Sequence, residues 1–180
     1  QVRQIMVMEE RPDRRPTFVL ARGAYDAPTD PVPPAAPESV FPWPDEYPRN
    51  RLGFARWLVD ERNPLTARVA VNRFWRLFFG RGLVATTEDF GSQGDVPTHP
   101  ELLDWLARQF MAGRWDVHEL CRTIVLSATY RQSSVPADPE TWSADPQNLL
   151  LARGPRYRLS AEQLRDNALA VSGLLVHKVG

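Results

Sequence analysis

Hydrophobic spacing divides the chain into an irregular first part and a helical remainder. At about 100° per residue, Ala67, Ala70, Val71, Phe74, Trp75, Leu77 and Phe78 fall in one continuous arc, wider than the stripe of a surface helix. The pattern predicts a central, largely buried helix. Asn63–Pro64 supplies its expected start, because asparagine caps free amides and proline at the first helical position loses no hydrogen bond; Gly80 supplies its stop. The opposite side carries Arg68, Asn72 and Arg76 at four-residue intervals, with Arg73 nearby and Leu65, Val69 and Phe79 interspersed.

Further helices flank this one. Leu52, Ala55, Leu58 and Val59 line one side of a short helix that ends near "DERNP". "THPELLDWLARQFMAG" opens on Thr98-x-x-Glu101 as a capping box, continues with Leu102, Leu103, Leu106, Ala107 and Phe110 on one face, and stops at Gly113. "DVHELCRTIVLSATYRQS" repeats the plan, with Asp116 and Glu119 at the start and Val117, Leu120, Cys121, Ile124, Val125 and Ala128 as the stripe. The short "GRW" connection makes the two neighbours in space. After Ser133 the chain reads as irregular with room for one short helix, and Ser160 with Gln163 opens a last helix carrying Leu164, Ala168, Val171 and Leu175.

The first fifty residues hold ten of the seventeen prolines, so they are not part of the same helical array. "IMVME" (Ile5 to Glu9) and "TFVLARG" (Thr17 to Gly23) are short β-prone runs that suit a hairpin around "RPDRRP". An extended stretch follows, which Phe41 and Trp43 are expected to anchor. The expected fold is mainly α, about four to five principal helices in a core domain over residues 50–180, preceded by a proline-rich arm over 1–49 with a short β-hairpin. The core reads as cut short at its C-terminal end.

Composition removes several function classes. Basic and acidic side chains balance at 22 each, so a polyanion would need a strongly local basic patch. The aromatics and arginines of "NRFWRLFFGRGLV" (Asn72 to Val84) are therefore read as core packing with arginines turned to carboxylates, Glu88 and Asp89 being nearest. A helix-turn-helix at "HELCRTIV" is disfavoured by the same neutral balance and by its mixed Glu119/Arg122 face. One cysteine, Cys121, lies on an apolar stripe and suits an inert buried thiol. No Cys-x-x-Cys-His, zinc spacing, phosphate loop or Gly-x-Ser-x-Gly occurs, and no apolar run approaches the roughly eighteen residues of a membrane span.

Chemistry, if present, concentrates in "GRGLVATTEDFGSQGDVPTHPE", which is long for a helix connection. It brings Glu88, Asp89, Asp95 and His99 close in sequence, with Gly91 and Gly94 able to bend around a ligand. Glu88, Asp89 and His99 are the acid/base candidates, and the same three with Asp95 the divalent-metal candidates. Arg68, Asn72 and Arg76 are the candidates for holding an anionic substrate. The favoured structural alternative pairs the loop acids with Arg73, Arg76 or loop amides, with His99 at the helix start. His118 and His177 read as solvated surface residues, and Tyr130–Arg131 as a tie between a helix end and the next segment.

The run from "NRLGFARWLVDERNPLTARVAVNRFW" through "PTHPELLDWLARQF" to "IVLSATYRQSS" resembles the PSD-one family, domain of unknown function fifteen-fifty-three, of planctomycete-type bacterial proteins. "RPTFVLARGAYDAP" resembles the segment preceding that core. The resemblance implies an exported multidomain protein of the periplasm or cell envelope, a partner domain, a cytochrome-c-like module elsewhere in the polypeptide, and a core pattern continuing past this sequence. No haem-binding residue carries over, so no cofactor is expected in this chain and haem c belongs to a separate domain. The expected role is an accessory or interaction domain with neighbouring domains, or an envelope protein or polysaccharide, as partners and no nucleic acid. The alternative is part of an enzyme acting on an envelope or polysaccharide-type anionic substrate through the acid/His loop.

Overall fold

The computed structural model describes residues 4–11, 13, 15–135 and 139–176, and the chain divides after Asn63 into two units. Among the described residues the first unit holds β1 (Phe18–Leu20), β2 (Pro28–Pro31) and α1 (Arg51–Leu58). The second holds α2 (Thr66–Phe79), α3 (Pro100–Ala112), α4 (Val117–Leu126), α5 (Ala128–Arg131), α6 (Pro139–Ala144) and α7 (Ala161–Val171). The protein is thus mainly helical, with five helices of eight residues or more and one small antiparallel hairpin among the described residues. Pro12, Arg14 and His177, for which the sequence made expectations, lie outside the described residues.

The hairpin differs from the expected pairing. β1 joins β2, downstream of it, and Ile5 to Glu9 forms no strand. A single 3-10 turn, Ala21–Gly23, reverses the chain using left-handed backbone at Arg22 (φ 50°) and Gly23 (φ 76°). Pro28 and Pro31 lack N–H donors, which confines β2 to an edge and keeps the ladder short.

In the first unit α1 starts where Asn50 accepts from the Gly53 amide at 3.0 Å. The helix buries Gly53 and Trp57, whereas Leu52, Ala55 and Val59, expected inward, stay exposed. Aromatic packing decided the face. Trp57 stacks on Phe41 (centroids 6.2 Å) and Phe54 (5.8 Å), and its indole N–H donates to the Phe41 carbonyl at 2.9 Å. Trp43, buried as expected, donates to the Tyr47 carbonyl at 3.1 Å.

Just past α1, the buried Asp60 takes two bonds from the Arg62 side chain (2.9 and 2.8 Å), one from the Arg62 amide (2.9 Å) and one from the Tyr47 hydroxyl (2.8 Å). The Arg62 side chain, against the opposing effect of burial, holds the Asp60 carboxyl well below its ordinary range. A depressed folded value contributes stability that is full above the unfolded value near about 4 and fades as pH falls beneath it. Melting curves should therefore show wild type above Asp60→Asn by the widest margin at pH 7, with the gap narrowing below pH ~4. A gap that widens towards acid would contradict this linkage.

The second unit is built around α2. Ala67, Val71 and Trp75 are buried and Phe74 and Phe78 half-buried, against Leu103, Leu106 and Phe110 of α3 and Leu120 and Ile124 of α4. Three details depart from the helical wheel. Leu77 is mostly exposed, and Phe79, expected on the polar side, stacks flat on Trp75 at 4.1 Å. Asn72, placed in the arginine row, has no exposed surface at all. The helix also begins at Thr66, not at Pro64, and the Asn63 side-chain amide donates to the Trp57 carbonyl (3.2 Å). It ends as expected at Gly80, whose φ of 77° is left-handed.

α3 and α4 pack on α2 and on each other, joined by residues 113–116 with Arg114 and Trp115 left-handed (φ 57° and 61°). Trp115 folds back edge-on to Phe110 at 5.1 Å, which supports left-handed backbone at a residue that is not glycine. Thr98 does not cap α3; its amide and its hydroxyl both donate to the Leu83 carbonyl. His99 takes the cap position and Pro100 the first turn. The Asp116 start of α4 is as read, its carboxylate accepting from the Glu119 amide at 3.1 Å. The α4 pattern breaks at Ser127, whose hydroxyl donates to the Ile124 carbonyl and accepts from the Tyr130 amide, opening α5.

Candidate functional site

The connection from Gly80 to His99 is pinned at both ends. Asn72, from α2, donates to the Val84 carbonyl (3.0 Å) and accepts from the Val84 amide (2.9 Å), so a side chain replaces a missing strand partner inside the core. Gly82 must lack a side chain here, because a Cβ would stand 2.5 Å from the Val84 carbonyl and 2.7 Å from the Asn72 amide group. Leu83 and Val84 then enter the core, and the Thr98 bonds to the Leu83 carbonyl close the loop at its far end.

Between those pins the loop satisfies itself. Thr86 Oγ1 donates to the Asp89 carbonyl (2.9 Å) and accepts from the Asp95 amide (2.8 Å), and the Asp89 carboxylate accepts from the Gly91 amide (2.7 Å). Gly94 is drawn so close that a Cβ would lie 2.2 Å from the Asp89 carbonyl. Glu88 instead reaches Arg73 at 2.8 Å on the surface, where such a pair contributes little. His99 Nδ1 lies 3.1 Å from Thr98 Oγ1. The side chains of Glu88, Asp89 and His99 therefore turn to separate partners, and Asp95 is held through its backbone amide. Among the described residues no group of three or more His, Cys, Asp or Glu side chains is gathered to hold a metal ion.

The arginine row is similarly engaged. Arg68 donates to Asp104 (2.6 Å) and to the Pro64 carbonyl (3.0 Å), and its side chain draws the Asp104 carboxyl below its ordinary value. Arg76 bonds Thr87 Oγ1 at 2.9 Å, a hydroxyl where a carboxylate was expected; Arg73 alone meets a loop acid. Asn72 is the structural clamp already described. His118 is exposed, as expected, and Tyr130 packs edge-on to Phe78 and Phe79. Cys121 is half-buried, and burial pushes its thiol pKa up, away from the reactive thiolate.

One arrangement escaped sequence reasoning. Residues 145–154 wind around the side chain of Arg153, which is 5% exposed. The Asp145 carboxylate accepts from the Leu149 and Leu150 amides, both at 2.8 Å. The Asn148 amide group bonds both the N–H (3.2 Å) and the carbonyl (2.8 Å) of Arg153. Arg153 Nη2 donates to the Pro146 carbonyl at 2.8 Å, the guanidinium lies 4.4 Å from the Trp142 ring centre, and Nη1 is buried with no hydrogen-bond partner. Burial works to raise the Asp145 pKa, yet the two amides and the Arg153 charge hold it below its usual value. A cavity of about 130 Å³ opens beside this group, walled by Trp75, Phe79 and Leu83 and flanked by Arg81 and Arg156. The basic run "ARGPRYR" was the only local signal; nothing in it shows which arginine turns inward.

Fold and site together define a mainly helical domain whose described residues gather no group of three or more His, Cys, Asp or Glu side chains to hold a metal ion. The chain belongs to the PSD1 family, described as "Protein of unknown function (DUF1553)", whose model matches residues 50–180. No curated protein and no solved structure matches it.

Proposed function

We propose that the chain is a non-catalytic interaction domain that docks a neighbouring domain of its own polypeptide through α7. One observation carries the reading. α7 is locally complete, with the Ser160/Gln163 capping box formed in both directions, yet none of its residues is buried. Leu164 (51%), Val171 (85%), Leu174 (67%) and Val176 (76%) stand exposed along and just beyond it. Scattered surface leucines are ordinary, but Leu164 and Val171, seven residues apart, share one face of an eleven-residue helix that is marginal in water without cover.

The size of the stripe argues for a tethered partner. A helix of this length is only about 16 Å long, so one face buries a few hundred Å², below the roughly 1,000 Å² of a free-standing complex. A partner held on the same polypeptide at an effective concentration around millimolar needs no more. The family resemblance supplies the wider context we extend to this chain: export to the periplasm or cell envelope, with haem c carried by a separate domain. The enzyme alternative, an acid/His loop acting on an anionic envelope polymer, is supported less, because Glu88 bonds Arg73, Asp89 the Gly91 amide, and His99 Nδ1 lies against Thr98 Oγ1.

Hydrogen exchange distinguishes the outcomes. Amides of α7 should exchange at least about tenfold more slowly in the whole encoded polypeptide than in residues 1–180 alone, and a Leu164→Glu/Val171→Glu variant should lose that protection without changing the melting of the helical unit. Equal exchange in both contexts would end the proposal.

A further inference from the structure

We propose that the cavity beside α2 binds the carboxylate of a small, apolar organic acid, with Arg153 as the anchor for its charge. A guanidinium carries five donors and cannot shed its proton, so burying one with an N–H left unpaired is costly unless something satisfies it. Arg153 is in that position: Nη1 is buried with no hydrogen-bond partner. Asp145 feels the Arg153 charge, but its carboxylate oxygens accept from the Leu149 and Leu150 amides and leave Nη1 unpaired.

The surroundings narrow the ligand. A volume of about 130 Å³ greatly exceeds the roughly 15 Å³ that one water requires, and accommodates a carboxylate with several attached carbons. Trp75, Phe79 and Leu83 offer hydrocarbon walls, which suit an apolar tail and do little for a fully hydrated inorganic anion. Arg81 and Arg156 also line the cavity. In a chain with no net charge, three arginines at one recess are a local concentration that favours an anion.

The site is also built before any ligand arrives. Asn148 locks both backbone groups of Arg153, Pro146 holds Nη2, and the Trp142 ring lies beside the guanidinium. Gly154 donates to the Ser133 carbonyl at 2.8 Å and Gln132 donates to the Leu151 carbonyl at 2.7 Å, fastening the rim to the segment after α5. Such preorganisation lowers the ordering cost of binding.

Calorimetric and thermal-shift titrations of the chain with sodium benzoate, sodium acetate and sodium phosphate, at constant ionic strength, test this. Benzoate should bind saturably at one site and raise the melting temperature, acetate should bind more weakly, and phosphate should not compete. R153M should weaken benzoate at least tenfold, and W142A, at a half-exposed position, should weaken it while the chain stays folded. Should R153M not fold, the guanidinium ¹⁵N resonances of Arg153 in the unaltered chain must move saturably with benzoate. Unmoved resonances, unsaturable binding, equal affinity in a folded R153M, or phosphate binding better than benzoate would each overturn the proposal, equal affinity by placing benzoate away from Arg153 and preferred phosphate by marking an inorganic-anion site.

Discussion

Asn72→Ala is expected to lower the melting temperature of the helical unit by roughly 10 °C, a large effect for one uncharged side chain. The wild-type amide satisfies two backbone groups of Val84 in a place where neither residue is exposed to water, Asn72 at 0% and Val84 at 2%. Removing it leaves a buried N–H and a buried C=O unpaired, at about 1–3 kcal/mol each. Backbone rearrangement offers little relief, because Leu83 and Val84 are set in the core and the Leu83 carbonyl also holds Thr98. Asn72→Asp sharpens the test. Its carboxylate would still accept from the Val84 amide but would face the Val84 carbonyl, so burial and that oxygen should raise its pKa. A raised folded value penalises the charged form, so stability should recover as pH falls from 7 towards about 5. Circular-dichroism melts at the two pH values check both variants; an Asn72→Ala protein melting within about 2 °C of wild type would show that Val84 is not clamped as described.

Gly53→Ala should destabilise the first unit by roughly 3 kcal/mol, although helix propensity alone predicts a gain of about 1 kcal/mol in a helix interior. The sign is set by space. A Cβ on Gly53 would stand 1.8 Å from the Pro48 carbonyl oxygen and 2.9 Å from Trp43 Cζ2, so α1 and the segment after Trp43 would have to separate. That separation strips cover from Trp57, the centre of the aromatic cluster. Chymotrypsin cleavage at Phe41, Tyr47 or Trp57 should accelerate by about a hundredfold through the larger open population. A more stable variant would mean that α1 does not lie against residues 43–48.

These two positions also show where sequence reading stopped. Gly53 sits inside an ordinary helical pattern, and nothing local reveals that another stretch of backbone crosses it. Asn72 falls where a wheel places it beside Arg68 and Arg76, since angular position along a helix does not say what the chain does twelve residues later. The capping signals fared unevenly. Asp116 and Ser160 cap as written, each side chain accepting from the amide three residues on. Thr98 does not: its hydroxyl donates to the Leu83 carbonyl, and His99 stands at the cap position of α3.

The candidate loop was legible as a place and not as a geometry. Its length, glycines and acids were apparent, and Arg73–Glu88 was anticipated. Whether Glu88, Asp89, Asp95 and His99 converge depends on side-chain directions fixed by Thr86 and by the Leu83–Thr98 closure, interactions that spacing does not encode.

By itself the sequence determined the helical class, the central place of α2, the proline-rich arm and family membership, because hydrophobic period, glycine stops and proline content act through local geometry that each short segment carries. Tertiary structure alone decided which face of α1 is buried, that Asn72 is a clamp, and that Arg153 is enclosed beside a cavity. Those outcomes depend on hydrogen bonds and steric limits between segments distant along the chain, and an amino acid's own propensity contains no information about the partner that will reach it.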